Sequence, residues 1–563
     1  MHQTCRQCQS EFEITDADLA FYDKVSPIFN GKKELIPAPT LCPDCRQQRR
    51  WAFQNQRFLY KRKSDATGKE IVSAYSPEKP FKVYEKAEWL KVDNTEFGRE
   101  FDFDRPFFEQ FNKLFHDTIK ENVSQSGEMI NSEYVHFAGW HKNSYLVFDA
   151  GKCEDCMYGT FMGYCKNCVD VLDMQRNELC YDCVDMTDCY GMFHSTFCKN
   201  CNSSAFLFDC IGCKNCIGCT SLRNKEYCVF NQFVGKEEFE KTWNGLFDGS
   251  HATREAARNH CQEFMLSQPR RALHNTNAPN STGDYLINCE NTKDCFKCLE
   301  LRDAKFCQYV VLGCNDLYDI SAFGESMSFC YELSASGGIV GKIGETNCCF
   351  DAYMYYGGDS VYYSINTHDN SKNLFGCADL RGKQYCILNK QYTKEEYDML
   401  VPKIIAHMRS TQEYGEFFPI TLSPFAYNET LALTYYPLTQ EEVLSKGWNW
   451  KDRDQRDYQP SVFQIPDRIA DVEDSITKET LSCVDCTKNY RIVTQELEFY
   501  RNQSLPIPRL CPDCRYLTRV SRRNPQTLWN RECGKCQKPI STSYSPDRPE
   551  IVYCEQCYLE SVY

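Results

Sequence analysis

No run of 18 apolar residues occurs in this 563-residue chain, so no stretch of it reads as a membrane-spanning helix. The opening residues, Met1-His2-Gln3-Thr4-Cys5, lack the apolar core of a secretory signal. Histidine is scarce: there are 10, and no HExxH pair sets two imidazoles on one helix face over a metal. His194, between Phe193 and Ser195, reads as a structural residue. Gly337–Ile343 has the look of a phosphate loop, but Ser336 stands where the first glycine is needed and Ile343 where a Ser or Thr would meet magnesium. No nucleophile–base pair can be drawn, and a catalytic thiol needs an electropositive setting that the acidic middle of the chain does not offer. These absences point away from an enzyme, and no catalytic residue is assigned.

Cysteine, by contrast, is abundant. There are 37, an odd number, many in CxxC pairs, with no export signal, which favours reduced thiols and metal in the cytoplasm over a disulfide framework. Fourteen fall between Cys153 and Cys228, and every one has a number divisible by three. The remaining positions on this comb are small or apolar, such as Gly159, Met162, Val171, Met174, Ser195 and Leu207; only Asn177 and Lys225 break the rule. A helix repeats near 3.6 and a strand at 2, so a period of three fits neither. It fits coils whose length is a multiple of three, with the comb facing inward. The CxxC pairs begin at 153, 165, 180, 198 and 213, which predicts a coil of about 15 residues, each coil burying what it cannot bury alone. Cys suits a narrow interior. Asp and Asn, which often precede a Cys, suit corners.

Metal signals stand at both ends. Cys5-x2-Cys8 with Cys42-Pro-Asp-Cys45, Cys483-x2-Cys486 with Cys511-Pro-Asp-Cys514, and Cys533-x2-Cys536 with Cys554-x2-Cys557 form three four-thiolate sets. Four thiolates fill a tetrahedral zinc and leave no open position, so about three structural Zn2+ ions are expected. From Cys42 to Leu90 the N-terminal module aligns with the C-terminal one at an offset of 469, Tyr75-Ser76-Pro77 falling on Tyr544-Ser545-Pro546. In that alignment Ser64, Thr67, Glu85 and Glu88 occupy the places of the third thiolate set, a poor zinc set that predicts a module kept by packing.

Each CPDC runs into a basic helix. Arg46, Arg49 and Arg50 share one face, with Arg57 beyond; Arg515, Arg519, Arg522 and Arg523 share another. Trp51, Phe58, Tyr60 and Trp529 interleave with them, a combination that phosphates and unpaired bases accept. Residues 1–90 carry 15 Lys/Arg against 12 Asp/Glu and residues 481–563 carry 12 against 9, so the middle bears −20 of a chain whose net charge is −14. The basic ends and the acidic middle are expected to meet different partners.

The expected fold is mainly β: a Cys-lined parallel β-solenoid in two halves, flanked by small zinc-ribbon or treble-clef-like modules, with a few capping helices. Residues 1–90 form the N-terminal module with its degenerate second site, 91–130 a helical connector, 131–235 the first solenoid half and 236–282 a helical insertion. Residues 283–392 form the second half, 393–480 a helix and linker, and 481–563 the tandem C-terminal module. Leu-Arg-x3-aromatic-Cys recurs at Leu222–Cys228, Leu301–Cys307 and Leu380–Cys386, and the first and last copies lead into Lys-Glu-Glu-aromatic, a helix start. The CPDCR knuckle, the Tyr-Ser-Pro element, the comb and this ending together resemble an uncharacterised family of cysteine-rich zinc-ribbon proteins of candidate-phyla (Patescibacteria-type) bacteria. The resemblance covers nearly the whole chain, departs at Ser64, Thr67, Glu85 and Glu88, and implies no known activity. The functional expectation is a zinc-binding scaffold or adaptor that meets RNA or DNA through its basic ends. The alternatives are a protein-assembly scaffold whose acidic solenoid holds a partner, and an iron–sulfur redox protein built on Cys210, Cys213, Cys216 and Cys219, whose spacing departs from the ferredoxin pattern.

Overall fold

Every third residue of the cysteine-rich stretch has a left-handed backbone: Phe197, Asn200, Ser203, Phe206, Asp209, Gly212, Asn215 and Gly218 all have φ between 49° and 65°. Each stands directly before a comb residue. Gly has no Cβ to clash there, and Asn and Asp tolerate the conformation better than other residues, which is why Asp and Asn so often precede a Cys. The computed structural model that shows this describes residues 1–163, 169, 172–175, 178–335, 344–355 and 357–562, with backbone alone at 161–163, 172–175, 178–180 and 185. Cys165, Cys168, Val171, Asn177 and the loop Gly337–Ile343 lie outside the described residues, as do the side chains of Met162, Met174 and Cys180.

Strand exceeds helix, 31% to 26%, and the large sheets are parallel except for an antiparallel last strand, Gln232–Phe233 in one and Lys390–Gln391 in another. In the first cysteine-rich region two six-stranded sheets run through Val135–Lys142, Val147–Glu154 and onward to Glu226–Val229. Their register shifts once, from thirteen (Ala138 with Gln125) to twelve (His141 with Met129), and the parallel pairings that follow keep twelve. Val135 pairs Val147, Thr160 pairs Leu172, Tyr190 pairs Asn202 and Lys214 pairs Glu226, a step of twelve each time. The expected fifteen is therefore corrected to twelve. Four three-residue steps separate ladder partners, and Cys can occupy any of the four inward positions, so the spacing of CxxC pairs is not the spacing of the ladder. The inward positions form one core of Cys, Met, Leu, Val and Ala. Lys225, which breaks the comb, is exposed.

Sulfur also bonds inside this core. Cys201 Sγ lies 3.4 Å from the carbonyls of Lys199 and Cys210 and accepts from the Cys213 N–H at 3.4 Å. Ser195 Oγ does the same work, donating to Phe193 O and accepting from the Leu207 N–H. The left-handed corners turn main-chain groups inward, and a small side chain with an S–H or O–H meets them where an aliphatic one cannot.

The second region, Gly283–Ile287 to Lys390–Gln391, is a twelve-stranded sheet. It starts at a step of twelve (Gly283 with Cys295) and shifts to thirteen (Leu317 with Cys330). The shared Leu-Arg-x3-Tyr-Cys motif ends both ladders alike. Asn231 and Asn389 turn their amides onto the backbone of Thr220 and Ala378, donating and accepting as a further strand would. The helices Lys236–Leu246 and Lys394–Ser410 then pack against the final strands, with Phe239 edge-on to Tyr227 and Tyr397 edge-on to Tyr385.

The chain groups into two compact units, each made of two segments: Met1–Val123 with Leu273–Lys451, and Ser124–Ala272 with Asp452–Tyr563. One unit thus joins the N-terminal module to the second ladder, and the other joins the first ladder to the C-terminal module. Two parts of the region 393–480, read as a helix and linker, are packed, while most of the chain between them is exposed. In the first unit Phe417, Phe418, Ala426, Tyr427 and Ala432 are buried; in the second, Ile469, Val472 and Ile476 are.

Candidate metal centres

In each metal module a short hairpin presents one CxxC and a helix N-terminus presents the other. In the N-terminal module the hairpin is His2–Thr4 with Glu11–Glu13, and Cys42 is the N-cap of the helix Pro43–Trp51, where Pro at the first turn needs no N–H partner. Cys511 caps the helix Pro512–Ser521 in the same way and accepts from the Cys514 N–H. In the third module Cys554 precedes the helix Glu555–Val562, opposite the hairpin Trp529–Glu532 with Pro539–Thr542. Helix N-termini favour thiolate.

The geometry fits zinc. Within each quartet, Cys5/Cys8/Cys42/Cys45, Cys483/Cys486/Cys511/Cys514 and Cys533/Cys536/Cys554/Cys557, all four sulfurs lie within 4.8 Å of one another. Cys8–Cys42, Cys486–Cys511 and Cys536–Cys554 stand 3.7, 3.6 and 3.8 Å apart. A tetrahedral ion with Zn–S bonds of about 2.3 Å requires sulfurs about 3.8 Å apart. The hydrogen bond from the Cys45 thiol draws Cys42 down to about 5. Burial pushes Cys483 and Cys533 up, but backbone N–H groups outweigh it and bring them to about 7 and about 6. These residues would hold a structural ion and cross-link hairpin to helix.

At the degenerate site the same hairpin-and-helix plan survives on hydrogen bonds. Glu85 caps the helix Lys86–Trp89 and accepts from both Ser64 Oγ and Thr67 Oγ1, while Glu88 pairs with Lys91. A carboxylate–hydroxyl clasp joins three of the four residues aligned with the cysteines, and the fourth, Glu88, turns to Lys91.

The arginines are a correction. Of the eight arginines expected to face solvent, Arg46, Arg49, Arg50, Arg515, Arg519 and Arg522 pair with carboxylates of their own units. Arg46, Arg49 and Arg50 are 1%, 6% and 0% exposed. Arg46 donates to Asp319 at 2.9 Å, Arg49 to Glu332 and Glu416 at 2.9 Å each, and Arg50 lies 3.2 Å from Asp319. In the other unit Arg515, Arg519 and Arg523 are buried too. Arg515 pairs with Glu496, and Arg519 and Arg522 face Asp182 at 3.8 and 2.9 Å. Arg57 and Arg522 are half-buried. Trp51, expected to offer a stacking face, is fully buried against Tyr435. A helical face of arginine looks the same in sequence whether it meets solvent or buried carboxylates.

Reading the sequence missed Asp182, Asp319 and Glu332, which anchor these helices. Their only local signal is an acid at a left-handed corner, and many such acids are exposed. Cys210, Cys213, Cys216 and Cys219 donate to main-chain carbonyls inside the ladder; among the described residues the metal-competent groups are the three terminal quartets. No protein-family model matches this chain, and no curated protein matches it.

Proposed function

We propose that this chain is a non-enzymatic assembly scaffold of the reducing cytoplasm, in which zinc modules from both ends brace two halves of a Cys-lined β-solenoid. The twelve-residue step with a left-handed corner every third residue supports the solenoid reading, since four corners return the chain to its ladder partner. Spacing and donor chemistry support zinc at the three quartets, as thiolate sets of this geometry suit it best. The S–H groups that donate to carbonyls throughout the ladders do so only when reduced, which supports the compartment.

One observation carries the functional reading. The arginines behind both CPDC knuckles are spent on buried carboxylates of the same unit. Nucleic-acid binding draws its strength from cations that reach phosphates, and these do not. The modules act as braces, and the acidic middle of the chain suits a basic protein partner. The sulfur-to-carbonyl bonds of Cys210–Cys219 favour a packed interior over an iron–sulfur cluster.

Fluorescence anisotropy with labelled single-stranded RNA and DNA tests the choice. The scaffold reading expects no saturable binding at about 50 mM salt. Saturable binding that weakens with salt, with a log–log slope of several units, would restore the nucleic-acid reading.

A further inference from the structure

The two units build the same anchor with different charge. In the first, Tyr318 and Tyr331 are ladder partners, and the residues that follow them, Asp319 and Glu332, face the arginine helix. In the second, Tyr181 and Phe193 are ladder partners, followed by Asp182 and His194. The aromatic brackets correspond: Phe21 stacks on Tyr318 at 3.7 Å, and Phe499 lies 6.4 Å from Tyr181. A neutral ring therefore stands where the other unit has a carboxylate.

The arginines do not fall in step. Three arginines face three carboxylates in the first unit: Arg46, Arg49 and Arg50 against Asp319, Glu332 and Glu416. In the second, Arg519 and Arg522 share Asp182 with Arg258, at 3.3 Å, and with His194 Nδ1, at 2.6 Å. Arg258 also reaches Glu255 at 3.3 Å. Arg254, one turn earlier on the helix His251–Leu266, is 3% exposed and contacts His194 Nε2 at 3.4 Å. Its Nε and Nη2 have no hydrogen-bond partner among the described residues. The guanidinium lies over the Phe247 ring at 4.3 Å, but its unmet N–H groups remain unfavourable in a buried site.

These groups line a cavity of about 380 Å³, within the range of small-molecule sites. Over its whole lining, arginines outnumber carboxylates six to three, and five to three once Arg515, paired with Glu496 behind the wall, is set aside, in a chain that is net −14. The neighbouring quartet does not explain the difference, because both units have a thiolate set at the corresponding place.

We propose that this cavity is a binding site for a small phosphate-bearing ligand, with Arg254, Arg258 and Arg522 as donors and the ligand supplying the negative charge that Glu332 supplies in the other unit. Guanidinium forks match tetrahedral oxyanions in pairs. Burial, with Arg258 and Arg254 nearby, holds His194 down to about 3 against the pull of Asp182, so the ring stays neutral and orients Asp182 without adding charge.

Calorimetry on the full-length, zinc-loaded protein tests this with inorganic phosphate and with glycerol 3-phosphate. Saturable binding tighter than about 1 mM is expected for at least one; the tighter of the two identifies a free ion or an ester as the ligand. No saturable heat up to about 10 mM from either, or acetate binding equal to phosphate, overturns the proposal. His194→Glu installs the carboxylate of the other unit and should weaken binding at least about tenfold, as should Arg258→Gln, which deletes one charge-assisted donor. Arg258 is partly exposed, so its variant gives the answer if His194→Glu does not fold. Parent-like affinity in the folded variants places the ligand elsewhere and overturns the site.

Discussion

Sulfur in the ladders acts as a hydrogen-bonding atom of small size. Cys201 lies within reach of two carbonyls and accepts from one N–H, and Ser195 and Ser204 occupy equivalent positions. Chemistry, more than hydrophobicity, should then govern substitution. Cys201→Ser is expected to cost under about 1 kcal/mol. Cys201→Val, though apolar and close in size, strands the Cys213 N–H and should cost about 1–3 kcal/mol. Urea denaturation that ranks Val above Ser would show that the sulfur is only filler. His194 sets a second residue-scale expectation, on pH. Its folded value is about 3 against an ordinary 6.5, so between those values the unfolded chain binds the extra proton. Stability conferred by the neutral ring is complete above about pH 6.5. It falls as pH drops, by up to about 1.4 kcal/mol per unit. Asp182, held well below the usual carboxylate range mainly by Arg522 and His194 against its burial, adds loss in the same direction only under more acidic conditions. His194→Gln should flatten the upper part of this slope; a parent-like slope between pH 6.5 and 4.5 refutes it. The comparison with the parent cancels proton uptake by the thiolates.

At the scale of elements, the helices Pro43–Trp51 and Pro512–Ser521 do two jobs. Their N-termini hold two sulfurs each, and their arginine faces dock on a ladder. Asp319 is 0% exposed and faces both Arg46 and Arg50. Asp319→Asn removes the charge and leaves two guanidinium groups short of it in a buried site. That should cost about 3–5 kcal/mol, against a few tenths for Lys113→Ala at the exposed pair with Asp117. Equal melting temperatures for the two variants would mean that the arginine helix is not anchored through Asp319. The ends of the ladders follow the same economy of parts: an Asn amide finishes the hydrogen bonding, and a helix covers the last strand.

At the scale of the whole molecule, metal held by the quartets would couple each terminal module to the ladder of its own unit. Zinc analysis of the purified chain should return about three ions. Cys483→Ser should lower that by one and loosen the helix Pro512–Ser521, because metal binding there is folding free energy. With the helix goes the pairing of Arg522 with Asp182, so Asp182 should become exposed to solvent. Metal content unchanged in this variant would exclude the quartet as a site.

The sequence by itself determined the three quartets, since two CxxC pairs at these separations leave few other uses for the thiols. It determined the inward comb, since a period of three admits neither helix nor flat strand, and the helix that follows each Leu-Arg-x3-Tyr-Cys ending. It did not determine the register, because any of four inward positions accepts Cys and only backbone pairing shows that Thr160 meets Leu172. Nor did it determine which way Arg46 and Arg519 face, or that Glu332 in one ladder corresponds to His194 in the other. Those facts depend on partners hundreds of residues away in the chain, and local pattern has no access to them. Tertiary structure decided them by bringing a terminal helix against a distant ladder, where a charge must find its counter-charge or leave water without one.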